Sequence, residues 1–161
     1  AAGRDRPEVA RTIGFFVNTL VIRSELDAAP TFAALLAQVR ERVLEAQAHA
    51  DLPFTKLVEA LQPQRSFGNT PLFQAMFNYL GRDDDTIRLP GLDATHYEIP
   101  VQTARFDLVL DARERANGFE LAFTYAEDLF DAATLGAMLD YFVALLDAAL
   151  DAPQRPLAAL A

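Results

Sequence analysis

The feature that most constrains the fold is a run of ten residues, 13–22, that is almost continuously apolar. Most of its side chains are β-branched or aromatic, which favours a strand over a helix. A strand that is apolar on both faces needs a covering layer on each side. The run therefore predicts a strand buried in a layered sheet, with Gly14 at a close backbone approach or a bulge.

Two further segments have the spacing of amphipathic helices. After Pro30 and Thr31, apolar residues recur at helical intervals and charged residues fill the opposite face, which predicts a helix to about Ala48. A short second helix is predicted over Phe54–Leu61, between two prolines that disfavour its extension.

The last helix is predicted to begin after Asp131, a residue type that caps helix N-termini well, and to end at Pro153. Its predicted apolar stripe consists of Leu135, Met138, Leu139, Phe142, Leu145, Leu146 and Ala149.

Two alternating segments, 105–112 and 119–125, predict a β-hairpin. The pair Asn117-Gly118 between them favours a type I′ turn of two residues. Such a turn places Leu110 opposite Tyr125 and Ala112 opposite Phe123, so that both apolar rows share one face. Residues 72–79 and 95–99 predict two more strands, the second at a sheet edge. The fold class is therefore α/β (α+β), a mixed sheet packed with helices.

Composition excludes several classes of function. The 161 residues include no cysteine, which excludes disulfides, thiolate nucleophiles and cysteine-based metal sites and suits a cytoplasmic protein. A net charge of −9 without basic clusters argues against nucleic-acid binding. No continuous apolar run reaches the roughly 18 residues that span a bilayer, so no membrane contact is expected. Because the chain lacks an initiator methionine, we expect it to begin inside a longer protein.

Asn18 and Thr19 are polar residues inside the apolar run. An unsatisfied buried polar group costs about 1–3 kcal/mol, so both side chains need partners. For Asn18 two interpretations stay open: a structural hydrogen bond to a neighbouring loop, or a place beside a substrate tunnel. Arg23 follows the run, where a strand would reach the surface.

His49 lies where the first long helix should end, and a cap on the last carbonyls is the favoured interpretation. Metal binding is disfavoured, because His96 is the only other histidine and the spacing links no ligand set. Asp51 is expected to cap, Pro53 to begin the next helix and Phe54 to pack. These residues predict a helix–turn–helix joint.

Residues 64–71 predict a polar loop anchored by Arg65 and followed by Pro71. No dinucleotide-binding glycine pattern, phosphate loop or serine-nucleophile elbow occurs. The chain contains no complete set of nucleophile, base and oxyanion donor, so no catalytic residue and no metal ligand is assigned within it.

Three blocks in fixed order carry a family resemblance: Ile13-Gly-Phe-Phe-Val-Asn-Thr19, His49-Ala-Asp-Leu-Pro-Phe54 and Arg65-Ser-Phe-Gly-Asn-Thr-Pro-Leu72. They resemble the second half of the condensation domain of non-ribosomal peptide synthetases. The first block matches the family pattern Gly-x-Phe-Val-Asn-Thr in full. The second departs from it at Ala50 and Thr55, which stand where the family usually has Gln and Glu.

The resemblance implies a chloramphenicol-acetyltransferase-like fold, in which two similar lobes form a V. Residues 1–155 would be its C-terminal lobe and residues 156–161 the start of a linker. The family's catalytic His-His-x-x-x-Asp-Gly block belongs to the other lobe and has no counterpart here. The resemblance implies that Asn18, Thr19 and Arg23 line the substrate tunnel. The implied motif or structural residues are Gly14, Phe16, His49, Asp51, Pro53, Phe54, Arg65 and Pro71.

The implied reaction joins a donor and an acceptor, both held as thioesters on 4′-phosphopantetheine arms of carrier proteins, through an amide bond. The implied partners are the N-terminal lobe, peptidyl or aminoacyl carrier proteins and an adjacent adenylation domain. Alone, the chain is expected to be inactive, as one half of an enzyme. The alternatives are a non-catalytic module that docks a carrier protein or neighbouring domain, or a lobe of an epimerisation or cyclisation relative.

Overall fold

The computed structural model describes residues 7–9, 11–28, 30–63, 70–81, 90–92 and 103–160. Contacts divide the chain into two compact units, one comprising Ala1–Arg65 with Tyr141–Ala161 and the other Ser66–Asp140. The predicted mixed α/β class is confirmed. Within the described ranges the elements are η1 (Leu26–Ala28), α1 (Phe32–Ala48), α2 (Phe54–Leu61), β1 (Ala75–Leu80), β2 (Leu108–Arg115), β3 (Gly118–Tyr125), α3 (Ala132–Asp151) and η2 (Leu157–Ala159), where η is a 3-10 helix.

The first unit brings the start of α1 next to the end of the chain. The Thr31 hydroxyl accepts a hydrogen bond from the Ala34 N–H at 3.2 Å and so caps α1, as the sequence predicts. The Ala33 N–H donates to the Pro153 carbonyl at 2.9 Å, and the Leu157 N–H donates to Pro30 at 3.0 Å. Residues after 155 are thus bonded to the N-terminus of α1, while the linker boundary at 156 stays a prediction.

Helix α3 begins where Asp131 caps it. One Asp131 oxygen accepts from the Thr134 N–H at 2.8 Å and the other from the Thr134 hydroxyl at 2.7 Å. These bonds favour the carboxylate and lower the pKa of Asp131. Leu135 and Ala149 are buried, at 3% and 2% exposure. The prediction fails at Met138, which is exposed.

By length and composition alone, α3 is long and apolar enough to cross a membrane. It is the only such helix in the part of the chain that the structure describes. Its acids Asp140 and Asp147 interrupt a continuous apolar run, which is why the run itself predicts no span. A single helix of this kind does not establish a membrane span, because core helices of soluble proteins meet the same criteria of length and composition.

The second unit contains a three-stranded sheet in the order β1-β2-β3. Strand β1 runs parallel to β2, and β2 runs antiparallel to β3. The central strand is covered on both faces, since its buried residues Val109 and Ala112 point to opposite sides. The strand predicted at 72–79 is β1, which begins later because Leu72 has a φ of +75°. The edge strand predicted at 95–99 lies outside the described residues.

The hairpin is confirmed, but its predicted turn and register are wrong. Arg115 pairs with Gly118, so the turn residues are Ala116 and Asn117. Neither has a positive φ, whereas Gly118 takes +143°, so this is not a type I′ turn. Leu110 faces Phe123 and Ala112 faces Leu121, two residues from the predicted partners. Because the shift is even, both apolar rows still share one face.

Polar pairs also join neighbouring strands. The Asn78 amide donates to an Asp111 oxygen at 2.8 Å, and Arg115 Nε donates to Glu120 at 2.8 Å. The Tyr79 hydroxyl donates to Glu114 at 2.9 Å, and this bond raises the pKa of Tyr79 because it favours the protonated phenol.

The prediction of a buried strand over residues 13–22 is wrong, because the structure assigns no strand there. These residues have a bend at Gly14 and an isolated bridge at Val17. Ile13 and Phe15 are exposed at 101% and 89%, while Phe16 and Asn18 on the alternate side are half-buried. A strand buried on both faces needs two covering layers, and the side chains of Ile13, Phe15 and Val17 are exposed in the part of the chain that the structure describes.

We predict that Asp131→Ala lowers the melting temperature by about 2–4 °C at pH 7, because α3 loses its cap. The folded pKa of Asp131 is lowered from 3.8, so its contribution is present above the unfolded pKa and is lost as pH falls through the folded value. The difference between wild type and variant should therefore shrink below pH 3.8 in thermal melts. Asp128→Ala, an exposed acid of the same loop, is the control and should show no such pH dependence.

We predict that Gly118→Ala lowers the free energy of unfolding by about 1–2 kcal/mol, because a φ of +143° strains any residue with a Cβ. The matched change Gly136→Ala in α3 meets no atom within 4 Å. It should raise stability by about 0.5–1 kcal/mol. Urea titration of both variants measures this, and equal effects of the two would contradict the strain at Gly118.

Candidate functional site

The side chain of Asn18 connects the segment 11–25, which precedes α1, to the joint between α1 and α2. Its Nδ2 donates to the Ala50 carbonyl at 2.8 Å and to the Leu52 carbonyl at 2.7 Å. Its Oδ1 accepts from the Phe54 N–H at 3.3 Å. Asn18 donates both amide hydrogens to backbone carbonyls. These contacts match the first of its two interpretations, a structural hydrogen bond to a neighbouring loop. Its predicted place in a substrate tunnel stays a prediction.

Asn18 also supplies a cap for α2. The residue at the N-cap position of this helix is Pro53, which makes no side-chain capping bond, and the first N–H groups of a helix lack partners within it. Asn18 Oδ1 satisfies the N–H of Phe54. The prediction that Asp51 caps is wrong: Asp51 is exposed, and the acceptor comes from a residue 36 positions earlier than Phe54. Pro53 precedes the helix as predicted, and Phe54 is half-buried.

His49 ends α1, as the sequence predicts. Its backbone N–H donates to the Ala46 carbonyl at 3.2 Å, the Ala50 N–H donates to the Gln47 carbonyl at 3.1 Å, and the His49 Nδ1 lies 2.9 Å from the Glu45 carbonyl. A carbonyl oxygen only accepts, so in this bond Nδ1 is the donor. No cluster of three or more potential metal-binding side chains occurs in the part of the chain that the structure describes.

An open groove lies between residues 21–25 and the C-terminal half of α1. We call it the Arg23 groove; its volume is about 360 Å³, and it is lined by Val21, Ile22, Arg23, Glu25, Arg42, Glu45, Ala46 and His49. Each wall carries one exposed ion pair: Arg23 with Glu25 at 3.4 Å on the segment, and Arg42 with Glu45 at 3.3 Å on α1. Pairs of this kind are worth about 0–1 kcal/mol, so either arginine can exchange its partner for a ligand at low cost.

The remaining predicted motif residues are placed as follows. Thr19 is half-buried just after Asn18. A Cβ on Gly14 would lie 2.9 Å from the ring of Phe16, so the predicted close approach exists and involves a side chain rather than backbone. Arg65 lies outside the described residues. Pro71 is exposed and belongs to the second unit, whereas the groove lies in the first.

Sequence reasoning missed Gln38. Its side-chain amide accepts from the Glu25 N–H at 3.1 Å and donates to the Glu25 carbonyl at 3.3 Å. The available signal was a single long amide among the alanines and leucines that fill the first two turns of α1. Both ends of the segment that forms one wall of the Arg23 groove are therefore held by side-chain amides.

A second concavity, of about 680 Å³, lies in the other unit along residues 123–128 and 103–104. Its charged side chains are the acids Glu127 and Asp128, and it contains none of the predicted site residues. The Arg23 groove is the better candidate site, because it combines apolar walls with cationic and anionic groups.

Comparisons with known proteins agree with this fold. Malpinin synthetase of Mortierella alpina is 42% identical over 158 residues, which are 98% of this chain and 2% of that protein. The complex of the X-domain and OxyB from teicoplanin biosynthesis contains a similar chain, with a TM-score of 0.85 and 31% identity over 98% of this chain and 35% of that one. A four-domain non-ribosomal peptide synthetase bound to AMP and glycine has a TM-score of 0.83 at 24% identity, covering 98% of this chain and 13% of that one, and shows the fold alone.

The chain thus spans a small part of the relatives that it matches, and the structural neighbours confirm the predicted chloramphenicol-acetyltransferase-like fold. The condensation-domain family model matches residues 1–161. The chain therefore belongs to the condensation-domain family of non-ribosomal peptide synthetases.

Proposed function

We propose that this chain supplies one lobe of a domain that forms an amide bond between a donor and an acceptor, each tethered as a phosphopantetheine thioester. The family match over all 161 residues is the observation that carries the proposal. The similarity to malpinin synthetase supports it.

In the proposed reaction the acceptor amine attacks the carbonyl carbon of the donor thioester. A C–N bond forms, the C–S bond breaks, and the amine proton is transferred so that the carrier arm leaves as a thiol. Holding both tethered groups end to end supplies effective concentration, which can account for a large part of the rate. The two histidines of this chain, His49 and His96, do not form the His-His-x-x-x-Asp-Gly block. We assign the base to the N-terminal lobe of the longer protein.

The Arg23 groove is the part of this chain that we assign to the tethered substrate. Val21, Ile22 and Ala46 offer apolar surface to the methylene and methyl groups of the arm. Arg23 and Arg42 present guanidinium groups that hydrogen-bond phosphate and carbonyl oxygens in a fixed geometry. Because their ion pairs with Glu25 and Glu45 are exposed, the arginines can bind a ligand without leaving a buried charge.

The partners that follow from this proposal are the N-terminal lobe, peptidyl or aminoacyl carrier proteins and an adjacent adenylation domain. The arm arrives on the carrier protein, so this chain itself holds no resident cofactor under the proposal. A cytoplasmic location belongs to the same proposal and rests on the absence of cysteine.

A second function, docking without catalysis, is favoured by one comparison. The X-domain of teicoplanin biosynthesis, 31% identical to this chain, is described in a complex with OxyB. A condensation-type fold can therefore form a complex with another protein. Under this alternative the chain would bind a carrier protein or neighbouring domain and would take no part in the chemistry.

We predict that this chain alone forms no condensation product from loaded donor and acceptor carrier proteins, and that the complete domain does. Mass spectrometry of the carrier-bound product measures both. Product from the chain alone would contradict the assignment of the base to the other lobe. Carrier binding without product in either sample would favour the docking module.

We predict that Arg23→Ala in the complete domain raises KM for the carrier-tethered substrate about tenfold, because loss of one charge-assisted hydrogen bond costs about 1.4 kcal/mol. Arg40→Ala is the charge-matched control, since Arg40 is exposed on α1 and does not line the groove. Equal effects of the two substitutions would place the arm elsewhere.

A further inference from the structure

The segment 18–25 is held at its two ends by side-chain amides. At one end the Asn18 amide bonds to the carbonyls of Ala50 and Leu52 and to the Phe54 N–H. At the other end the Gln38 amide, on α1, bonds to both backbone groups of Glu25. We call these two side chains the amide clamp.

Between the two ends the segment forms no backbone ladder with the other described residues. In the part of the chain that the structure describes, residues 19–24 take part in no backbone–backbone hydrogen bond. An extended segment in a sheet would have its N–H and C=O groups paired along a neighbouring strand. Here the two amides fix the path of the segment, because a primary amide offers a donor and an acceptor in one plane.

The clamp bears directly on the Arg23 groove. The segment contributes Val21, Ile22 and Arg23 to the groove. Glu25, the last residue of the segment, also lines the groove. The Arg23 guanidinium lies 3.4 Å from the Glu25 carboxylate. A chain of contacts thus runs from Gln38 through Glu25 to Arg23.

We propose that Gln38 is a positioning residue, which holds the backbone of Glu25 against α1 and so fixes the end of the segment from which the Arg23 side chain extends into the groove. Its consequence for turnover rests on the proposed function, whereas its consequence for the path of residues 19–24 does not. Asn18 fixes the other end, so loss of Gln38 frees one end of the segment without releasing the joint between the helices.

Gln38 can be replaced by a side chain of equal length that makes no hydrogen bonds. Gln38→Met preserves length and helix propensity and removes both bonds to Glu25. The matched control is Gln47→Met on the same helix, because Gln47 is exposed and lies one residue beyond the groove wall at Ala46.

The first test uses the whole chain and needs no activity. In Gln38→Met we expect the Glu25 amide to exchange with solvent about tenfold faster, since two hydrogen bonds of ordinary strength are lost. We also expect the backbone order parameters of residues 19–24 to fall from about 0.85 towards 0.6. The Gln47→Met protein should match wild type. Unchanged exchange and order parameters in Gln38→Met would overturn the proposal.

The second test measures kinetics in the complete domain. Gln38→Met should raise KM for the tethered substrate about five- to tenfold with kcat little changed, because the groove is displaced and the chemistry is not. In an Arg23→Ala background the same change should add nothing further. Independent, multiplicative losses would show that Gln38 does not act through Arg23.

The two tests separate the two proposals. A wild-type domain that forms no product, together with faster Glu25 exchange in Gln38→Met, would sustain the positioning role and overturn the proposed function. A wild-type domain that is active, with Gln38→Met equal to wild type in exchange and in KM, would overturn the positioning role alone.

Discussion

The side-chain amide of Asn18 is the interaction on which the first unit depends. One residue bonds three backbone groups of the joint, two carbonyls and one N–H. Without it, the N-terminus of α2 would have no side-chain cap, because Pro53 and Asp51 provide none. The short α2 has eight residues and is marginal as an isolated helix. The same bonds fix the start of the segment 18–25, which forms one wall of the Arg23 groove.

How well the sequence predicts each element follows from the range of the forces involved. The helices are predicted to within a residue or two, since capping by Thr31 and Asp131 and the stop at His49 are local effects. Pairing is less predictable: the hairpin turn lies one residue from the predicted pair because Gly118 takes the unusual φ as the first residue of β3. Burial is least predictable. The apolar pattern of residues 13–22 indicates an extended backbone, but it does not reveal which surface covers each face.

The same limit applies to the site. Arg23 and His49 are predicted site or motif residues and line one groove. The prediction failed at Asp51 because the acceptor that bonds the Phe54 N–H, Asn18 Oδ1, is 36 positions away in sequence. Gln38 was missed because an amide that bonds another segment's backbone has no periodicity and no fixed spacing from its partner. Long-range bonds between side chain and backbone therefore carry the part of the site that pattern analysis does not see.

Charge explains why the groove is the credible place for a phosphate-bearing arm. The chain as a whole carries −9, and an anionic ligand is repelled from most of an acidic surface. In the Arg23 groove the two arginines balance Glu25 and Glu45, so the local formal charge is zero with His49 neutral. The proposed clamp keeps the segment, and with it Arg23 and Glu25, beside α1. If the segment moved away from α1, Arg42 and Glu45 would remain on the helix while Arg23 and Glu25 left together, so the groove would stay formally neutral but would lose the apolar side chains of Val21 and Ile22 and one of its two cations.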